Sequence, residues 1–161
     1  MARVLILHHL EPYWETALKR YGLTFDKFAS KIVDHLQIAG YDRVILTQFE
    51  GIKPTEEHFC TGLAGWVDDW YEYGYGWEAP QDDDEAVECL GNNKYRIWDQ
   101  LWTDNTRGHS DIVLIPEWLS ELANDTVFIA GAFDRECLAD LQDALEAEGI
   151  FYTRVEELIV G

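Results

Sequence analysis

Basic residues are scarce in this chain, and their scarcity limits what it can bind. Its 161 residues include 12 Lys and Arg against 31 Asp and Glu, which gives a formal net charge of −19. Affinity for nucleic acid depends on Lys and Arg side chains that neutralise phosphates. The composition therefore excludes direct binding of nucleic acid from the expected functions.

Cysteine is also scarce, and long apolar runs are absent. The three cysteines, Cys60, Cys89 and Cys137, are an odd number without CxxC spacing, which argues against a disulfide framework and a structural zinc site. Thiols of this kind fit a reducing cytosol. No stretch approaches the ~20 apolar residues of a membrane span, and Met1–Leu7 lacks the features of a signal peptide. We therefore predict a cytoplasmic protein that has no membrane partner.

The acidic surface that the charge implies has three interpretations. The first is a solvated, self-repelling surface that keeps the protein soluble, and the composition favours it. The second is adaptation to a salty host. The third is a surface that imitates nucleic acid and binds a basic protein, which would itself bind nucleic acid.

The order of apolar segments predicts the fold class. Hydrophobic residues make up 47% of the chain, enough for one domain with a core. Strands and helices alternate at both ends of the chain, so we predict a single α/β domain over residues 1–161, with three αβα layers and a mainly parallel sheet. The predicted strands are Val4–Leu7, Val44–Thr47, Ile112–Ile115, Thr126–Phe133 and Phe151–Val155. The predicted helices are Tyr13–Tyr21, Phe25–Ala39, Pro116–Ala123 and Arg135–Glu148.

Cap residues mark the ends of two of these helices. Thr24 can cap the start of the helix at Phe25–Ala39, and Gly40 can end it. Asp134 is the predicted N-cap of the helix at Arg135–Glu148. A helix between two strands makes a right-handed crossover, so the first two strands should be parallel.

Residues 51–106 do not follow the alternating pattern, and we interpret them as an acidic, aromatic-rich insertion. Trp66, Trp70 and Tyr73 have the spacing of one helical face, which favours ordinary packing. If exposed, these aromatics would suit a partner rich in Arg or Lys. No phosphate-binding glycine motif and no GxSxG nucleophile motif is present in the sequence.

Cys137 follows a predicted strand and turn, and lies in the first turn of a predicted helix. Unpaired N–H groups and the helix dipole favour negative charge there, so a thiol at that position can become a reactive thiolate. The alternative interpretation is a small residue buried under the helix, because unpaired cysteine is among the most buried residue types.

Several segments together resemble the isochorismatase-like cysteine hydrolases, the family that includes nicotinamidases. Gly131–Cys137 is similar to the family's strand, turn and helix that carry the nucleophile. The other similar segments occur in the family's order and are Val4–Trp14, Phe28–Glu50, Arg107–Ser110 and Ala144–Gly149. The resemblance covers the two ends of the chain and not residues 51–100.

The resemblance implies a triad of aspartate, lysine and cysteine, and the chain departs from it at two positions. The nucleophile falls on Cys137. The lysine position falls near Arg107, which can stabilise an oxyanion but cannot donate a proton. The aspartate position falls at about His9, and Glu11 is an alternative carboxylate; either side chain could deprotonate the thiol.

The resemblance implies a divergent hydrolase that acts on a C–N bond of a small amide-type metabolite. The alternative is a non-catalytic acidic protein that binds a basic partner. A third interpretation is an inactive scaffold that works only as a homo-oligomer, because the resemblance implies assembly of several copies. The metal-binding motif of that family is not recognisable in this sequence, and we therefore predict no metal and no cofactor. His58, which lies near Glu56 and Glu57, is the one suggestive residue.

Overall fold

Strand β1 (Arg3–His8) lies at the centre of a five-stranded sheet in the computed structural model. The structure describes residues 1–10, 15–48, 56–72, 94–97, 112–115 and 117–161. The other strands of the sheet are β2 (Arg43–Gln48), β3 (Asp69–Glu72), β6 (Thr126–Ala132) and β7 (Tyr152–Val160). Their order is β3-β2-β1-β6-β7, and every neighbouring pair is parallel. The predicted α/β class with a mainly parallel sheet is confirmed.

The described helices pack on both faces of this sheet. They are α1 (Glu15–Lys19), α2 (Phe25–Ala39), α3 (Glu56–Cys60) and α4 (Cys137–Ala147), with 3-10 helices at Leu63–Trp66 and Glu117–Leu122. No helix among the described residues is both long enough and apolar enough to cross a membrane.

Alternation along β1 divides the core into two layers. Leu5 and Leu7 pack with the buried face of α2, whereas Val4 and Ile6 pack with the buried face of α4. All four side chains are fully buried, as expected for a central parallel strand covered on both faces. The same alternation determines on which face of the sheet the side chains of the later β1 residues lie.

Helix α2 has the bounds that its cap residues predict. The Thr24 hydroxyl accepts the backbone N–H of Lys27 at 3.2 Å, and Gly40 ends the helix in the left-handed conformation, at φ 68°. Its buried face is formed by Phe25, Phe28, Ala29, Ile32 and Leu36. The strands on either side of α2 are parallel, as predicted.

Strand β3 arises inside the segment that we interpret as an insertion. Trp70 packs toward the α2 layer and Tyr71 toward the α4 layer, which is the alternation of a strand. The predicted helical face through Trp66 and Trp70 is therefore wrong, because Trp66 ends a 3-10 helix and Trp70 belongs to β3. Tyr73 lies outside the described residues.

A second, two-stranded sheet is antiparallel. It consists of β4 (Lys94–Ile97) and β5 (Ile112–Ile115), and β5 lies against α4. The predicted strand at Ile112–Ile115 is therefore confirmed, although it lies outside the parallel sheet.

Candidate functional site

The sheet reverses its winding direction between β1 and β6. From β1 the chain adds β2 and β3 on one side, and later adds β6 and β7 on the other. Crossovers that lead away from such a point in opposite directions leave a crevice outside the carboxyl ends of the two strands, where open α/β sheets bind their ligands. The residues that follow β1 and β6 are therefore the first candidates for chemistry in this fold.

His8, the last residue of β1, is buried at this crevice on the same face as Ile6. Its Nδ1 lies 2.8 Å from the Thr47 hydroxyl, and its Nε2 lies 2.9 Å from the carbonyl oxygen of Cys137. In register, His8 is level with Thr47 on β2 and Gly131 on β6. One imidazole thus connects two strands of the sheet to the start of α4.

The electrostatic setting of His8 keeps its ring neutral. Burial lowers the pKa of His8 well below the ordinary histidine value, and the charge of neighbouring His9 lowers it further. The hydrogen bond to the Cys137 carbonyl acts in the opposite direction but does not outweigh burial. His8 is therefore a neutral hydrogen-bonding group at physiological pH.

His9 follows β1 directly and is buried beside the same crevice. Its backbone has φ 52°, and it is the one non-glycine residue with positive φ among those that the structure describes. Its backbone N–H donates to the Thr47 carbonyl at 3.0 Å, and its ring centroid lies 4.1 Å from that of His8. Such left-handed backbone is uncommon for residues with a Cβ and is concentrated at functional sites.

Helix α4 begins later than predicted, so Cys137 is its first residue. Asp134 is not the N-cap, which corrects the prediction: its carboxylate pairs with Arg154 at 2.7 Å, and its backbone N–H donates to the Val160 carbonyl at 2.8 Å. Glu136 occupies the cap position, and its side chain makes no capping bond within the described residues. Cys137 is half-buried at the head of the helix, beside the crevice.

The backbone of Gly131 passes unusually close to His8. Its φ is 121°, and a Cβ at this position would lie 2.8 Å from the His8 nitrogen and closer still to the His8 carbonyl oxygen. Only glycine allows both this conformation and this approach. The close contact holds the ends of β1 and β6 together at the site.

Two of the four predicted site residues, Cys137 and His9, lie at this edge of the sheet. Arg107 and Glu11 lie outside the described residues, so their roles remain predictions. The sequence interpretation missed His8 and Thr47. Alternation could have identified them, because His8 has the parity of Val4 and Ile6, and Thr47 continues the next strand toward the same edge.

His58 is a second buried histidine near the end of β1, on the opposite face of the sheet. Its Nε2 donates to the Leu10 carbonyl at 2.7 Å, and its ring makes edge contacts with Phe25 and Trp70 at centroid distances of 5.3 Å. Burial lowers its pKa, against smaller effects of the Leu10 bond and Glu57. No group of three His, Cys, Asp or Glu residues that could hold a metal occurs in the described part of the chain.

Surface hollows occur elsewhere, at the amino ends of the strands. One of about 420 Å³ is lined by residues of the turn between α4 and β7, including Phe151 and Tyr152. A smaller one of about 200 Å³ shares these two residues. We place the site at the crevice instead, because parallel sheets carry their ligand-binding residues at the carboxyl ends of the strands.

Because His8 and His58 are buried, we expect the protein to lose stability in mild acid. Because their pKa values are lowered in the folded protein, the unfolded chain binds protons that the folded chain does not. The stability associated with each neutral ring is complete above about pH 6.5 and is lost as the pH falls toward the lower folded pKa, by up to about 1.4 kcal/mol per pH unit. Urea unfolding from about pH 8 to pH 5 measures this slope.

Substituting each histidine distinguishes its contribution to the pH dependence of unfolding from that of the many acidic residues. His8→Gln and His58→Gln should each flatten the dependence of unfolding free energy on pH, since each removes one of the linked protons. Slopes identical to wild type in both variants would contradict the assignment of buried, neutral rings.

Comparison with known proteins adds no relative. No family model matches the chain, and no curated protein and no solved structure matches it.

Proposed function

We propose that this protein is a divergent isochorismatase-like cysteine hydrolase that cleaves a C–N bond of a small amide-type metabolite. The observation that carries the proposal is the position of Cys137. It heads α4 beside the point where the sheet reverses, and His8 of the central strand bonds its backbone. A helix start favours a thiolate, and the crevice is where such folds bind small molecules.

The chemistry assigns one role to each predicted residue. The thiol proton passes to a base, His9 or Glu11, and the Cys137 sulfur attacks the carbonyl carbon of the amide. The tetrahedral oxyanion is stabilised by Arg107. The C–N bond then breaks as the base returns the proton to the leaving nitrogen, and water hydrolyses the thioester to a carboxylic acid.

Another feature of the described chain suits this assignment. His9 lies buried at the same edge of the sheet with a left-handed backbone, as residues at functional sites often do.

A non-catalytic acidic protein that binds a basic partner is the second candidate. It is favoured by exposed aromatic side chains beside acids in the middle of the chain: Phe59 is 64% exposed on α3, next to Glu56 and Glu57, and Trp66 is 39% exposed. Such aromatics with acids suit Arg and Lys side chains of a partner.

A panel of small primary amides and cyclic imides tests the two proposals against each other. The hydrolase predicts carboxylic acid from panel members, with ammonia released from the primary amides, and inhibition by prior alkylation with iodoacetamide. The binding protein predicts salt-sensitive capture of a basic protein that is unchanged in Cys137→Ala and weakened in Phe59→Ala. Capture without hydrolysis of any panel member would favour the second proposal.

A further inference from the structure

The hydrogen bonds of His8 determine which tautomer its ring adopts. A carbonyl oxygen can only accept, so the Nε2 that lies 2.9 Å from the Cys137 oxygen must carry a hydrogen. In the neutral ring that burial enforces, Nδ1 is then an acceptor, and the Thr47 hydroxyl at 2.8 Å must donate to it. The same hydroxyl oxygen accepts the backbone N–H of His9 at 3.3 Å.

In a competing orientation, the Thr47 hydroxyl would not determine the tautomer of His8. The hydroxyl also lies 3.3 Å from the Leu7 carbonyl, to which it could donate instead. That arrangement suits a charged His8, whose Nδ1–H would donate to Thr47, but burial and the adjacent His9 oppose the charge. Because the Thr47 hydroxyl lies closer to Nδ1 of His8 than to the Leu7 carbonyl, it donates to Nδ1. The hydrogen bonds therefore run from Thr47 through His8 to the Cys137 carbonyl.

The bond from His8 connects the start of α4 to the central strand of the sheet. The side chain of Glu136 at the cap position makes no capping bond within the described residues, and the predicted cap, Asp134, is bound to Arg154. Backbone bonds close this turn locally, since the N–H groups of Glu136 and Leu138 both donate to the Phe133 carbonyl. The bond from His8 adds a long-range attachment of the first residue of α4 to the fully buried central strand.

We propose that His8 is a positioning residue for the nucleophile: held in the Nε2–H tautomer by Thr47, it fixes the Cys137 backbone and so aims the thiol at the crevice. The proposal rests on the proposed function in that Cys137 is taken as the nucleophile. His8 is not the base, since both of its ring nitrogens are already bonded. That role stays with His9 or Glu11.

Substitutions along the chain of bonds test the proposal, with the second-order rate constant for iodoacetamide alkylation of Cys137 as the readout. His8→Leu removes both bonds, and Thr47→Val removes the hydroxyl while keeping its shape. We expect each to slow alkylation of Cys137 about tenfold, the upper range for losing one orienting hydrogen bond. Thr47→Ser keeps the hydroxyl and should stay within about twofold of wild type.

Matched controls separate positioning from a general loss of stability. His58→Leu removes another buried histidine that also bonds a backbone carbonyl, on the opposite face of the sheet, and should leave alkylation of Cys137 unchanged. Equal slowing in His58→Leu, or wild-type rates in folded Thr47→Val, would overturn the proposal. If His8→Leu does not fold, the Thr47 pair carries the test.

A spectroscopic readout keeps this inference distinct from the proposed function. Imidazole ¹⁵N shifts should report the Nε2–H tautomer of His8 in wild type and a mixture of tautomers in Thr47→Val. A Cys137 thiol no more reactive than that of Cys60 would reject the nucleophile and leave the tautomer result standing. An Nδ1–H tautomer in wild type would reject the role of His8 even if Cys137 is reactive.

Discussion

Gly131→Ala is expected to unfold the protein or to lower its free energy of unfolding by roughly 3–5 kcal/mol, since backbone strain and steric overlap each cost a few kcal/mol. The added Cβ would collide with the backbone of His8, and alanine rarely adopts φ 121°. Neither strand can move aside easily, because β1 and β6 are paired along their length in the middle of the sheet. Urea unfolding followed by circular dichroism measures the loss.

Alanine substitutions at two other glycines distinguish the cost of backbone strain from the cost of steric overlap. At Gly149, φ is 72° and no described atom lies within 4 Å of an added Cβ, so Gly149→Ala should show only the backbone cost, about 1–2 kcal/mol. Gly65 has open space among the described atoms and no positive φ, so Gly65→Ala should be nearly neutral. If Gly131→Ala were no less stable than Gly149→Ala, the close approach of β6 to His8 would be wrong.

Cys137→Ala is expected to reduce the turnover of any responsive amide by at least about a thousandfold, as removal of a covalent nucleophile does. The remaining side chains can bind and polarise the amide, but no sulfur is available to form the thioester. Cys137 is half-buried with its side chain outside the main core clusters, so the variant should remain folded. Steady-state kinetics on the best amide of the panel measures the effect.

Cys60→Ala is the matched control for the loss of a thiol. Cys60 is exposed at the end of α3, remote in sequence from the crevice, and its removal should leave kcat and KM unchanged. Cys137→Ser should resemble Cys137→Ala, since a serine hydroxyl ionises far less readily than a thiol and is a much weaker nucleophile in a site built for cysteine. Undiminished turnover in Cys137→Ala would require another residue to carry the reaction.

The parts of the fold that local signals determine were predictable. Helix α2 has its predicted bounds because Thr24 and Gly40 act within a few residues of its ends. Strands β1, β2 and β6 follow from short apolar runs, and their structural bounds differ from the predicted ones by only one or two residues. The last strand, β7, extends five residues beyond its predicted end at Val155, because pairing with β6 continues past a register shift.

The parts that depend on distant partners were not predictable from local pattern. Strand β3 has only four residues, and a 2.6 Å bond from Arg43 to Asp69 connects it to β2. These two residues are far apart in sequence, so a local pattern does not show the bond. Asp134 looked like a helix cap, but Arg154, twenty positions later, occupies its carboxylate.

The candidate site shows the same division. Cys137 could be identified from a strand, turn and helix that lie together in sequence, whereas His9 was assigned only through the resemblance to a known family. The bonds that connect them through His8 join residues 39 and 129 positions apart, so they appear only in the folded chain.

The rate of iodoacetamide alkylation at Cys137, compared with that at exposed Cys60 in the same molecule, tests the central claim most directly. A thiolate held at the head of α4 should react about tenfold faster than Cys60 near pH 6, where ordinary thiols are almost fully protonated, and the advantage should narrow toward pH 8. Peptide mass spectrometry assigns each adduct to its cysteine. If Cys137 reacts more slowly than Cys60 across this range in the folded protein, it is a structural cysteine, and the proposed hydrolase is wrong.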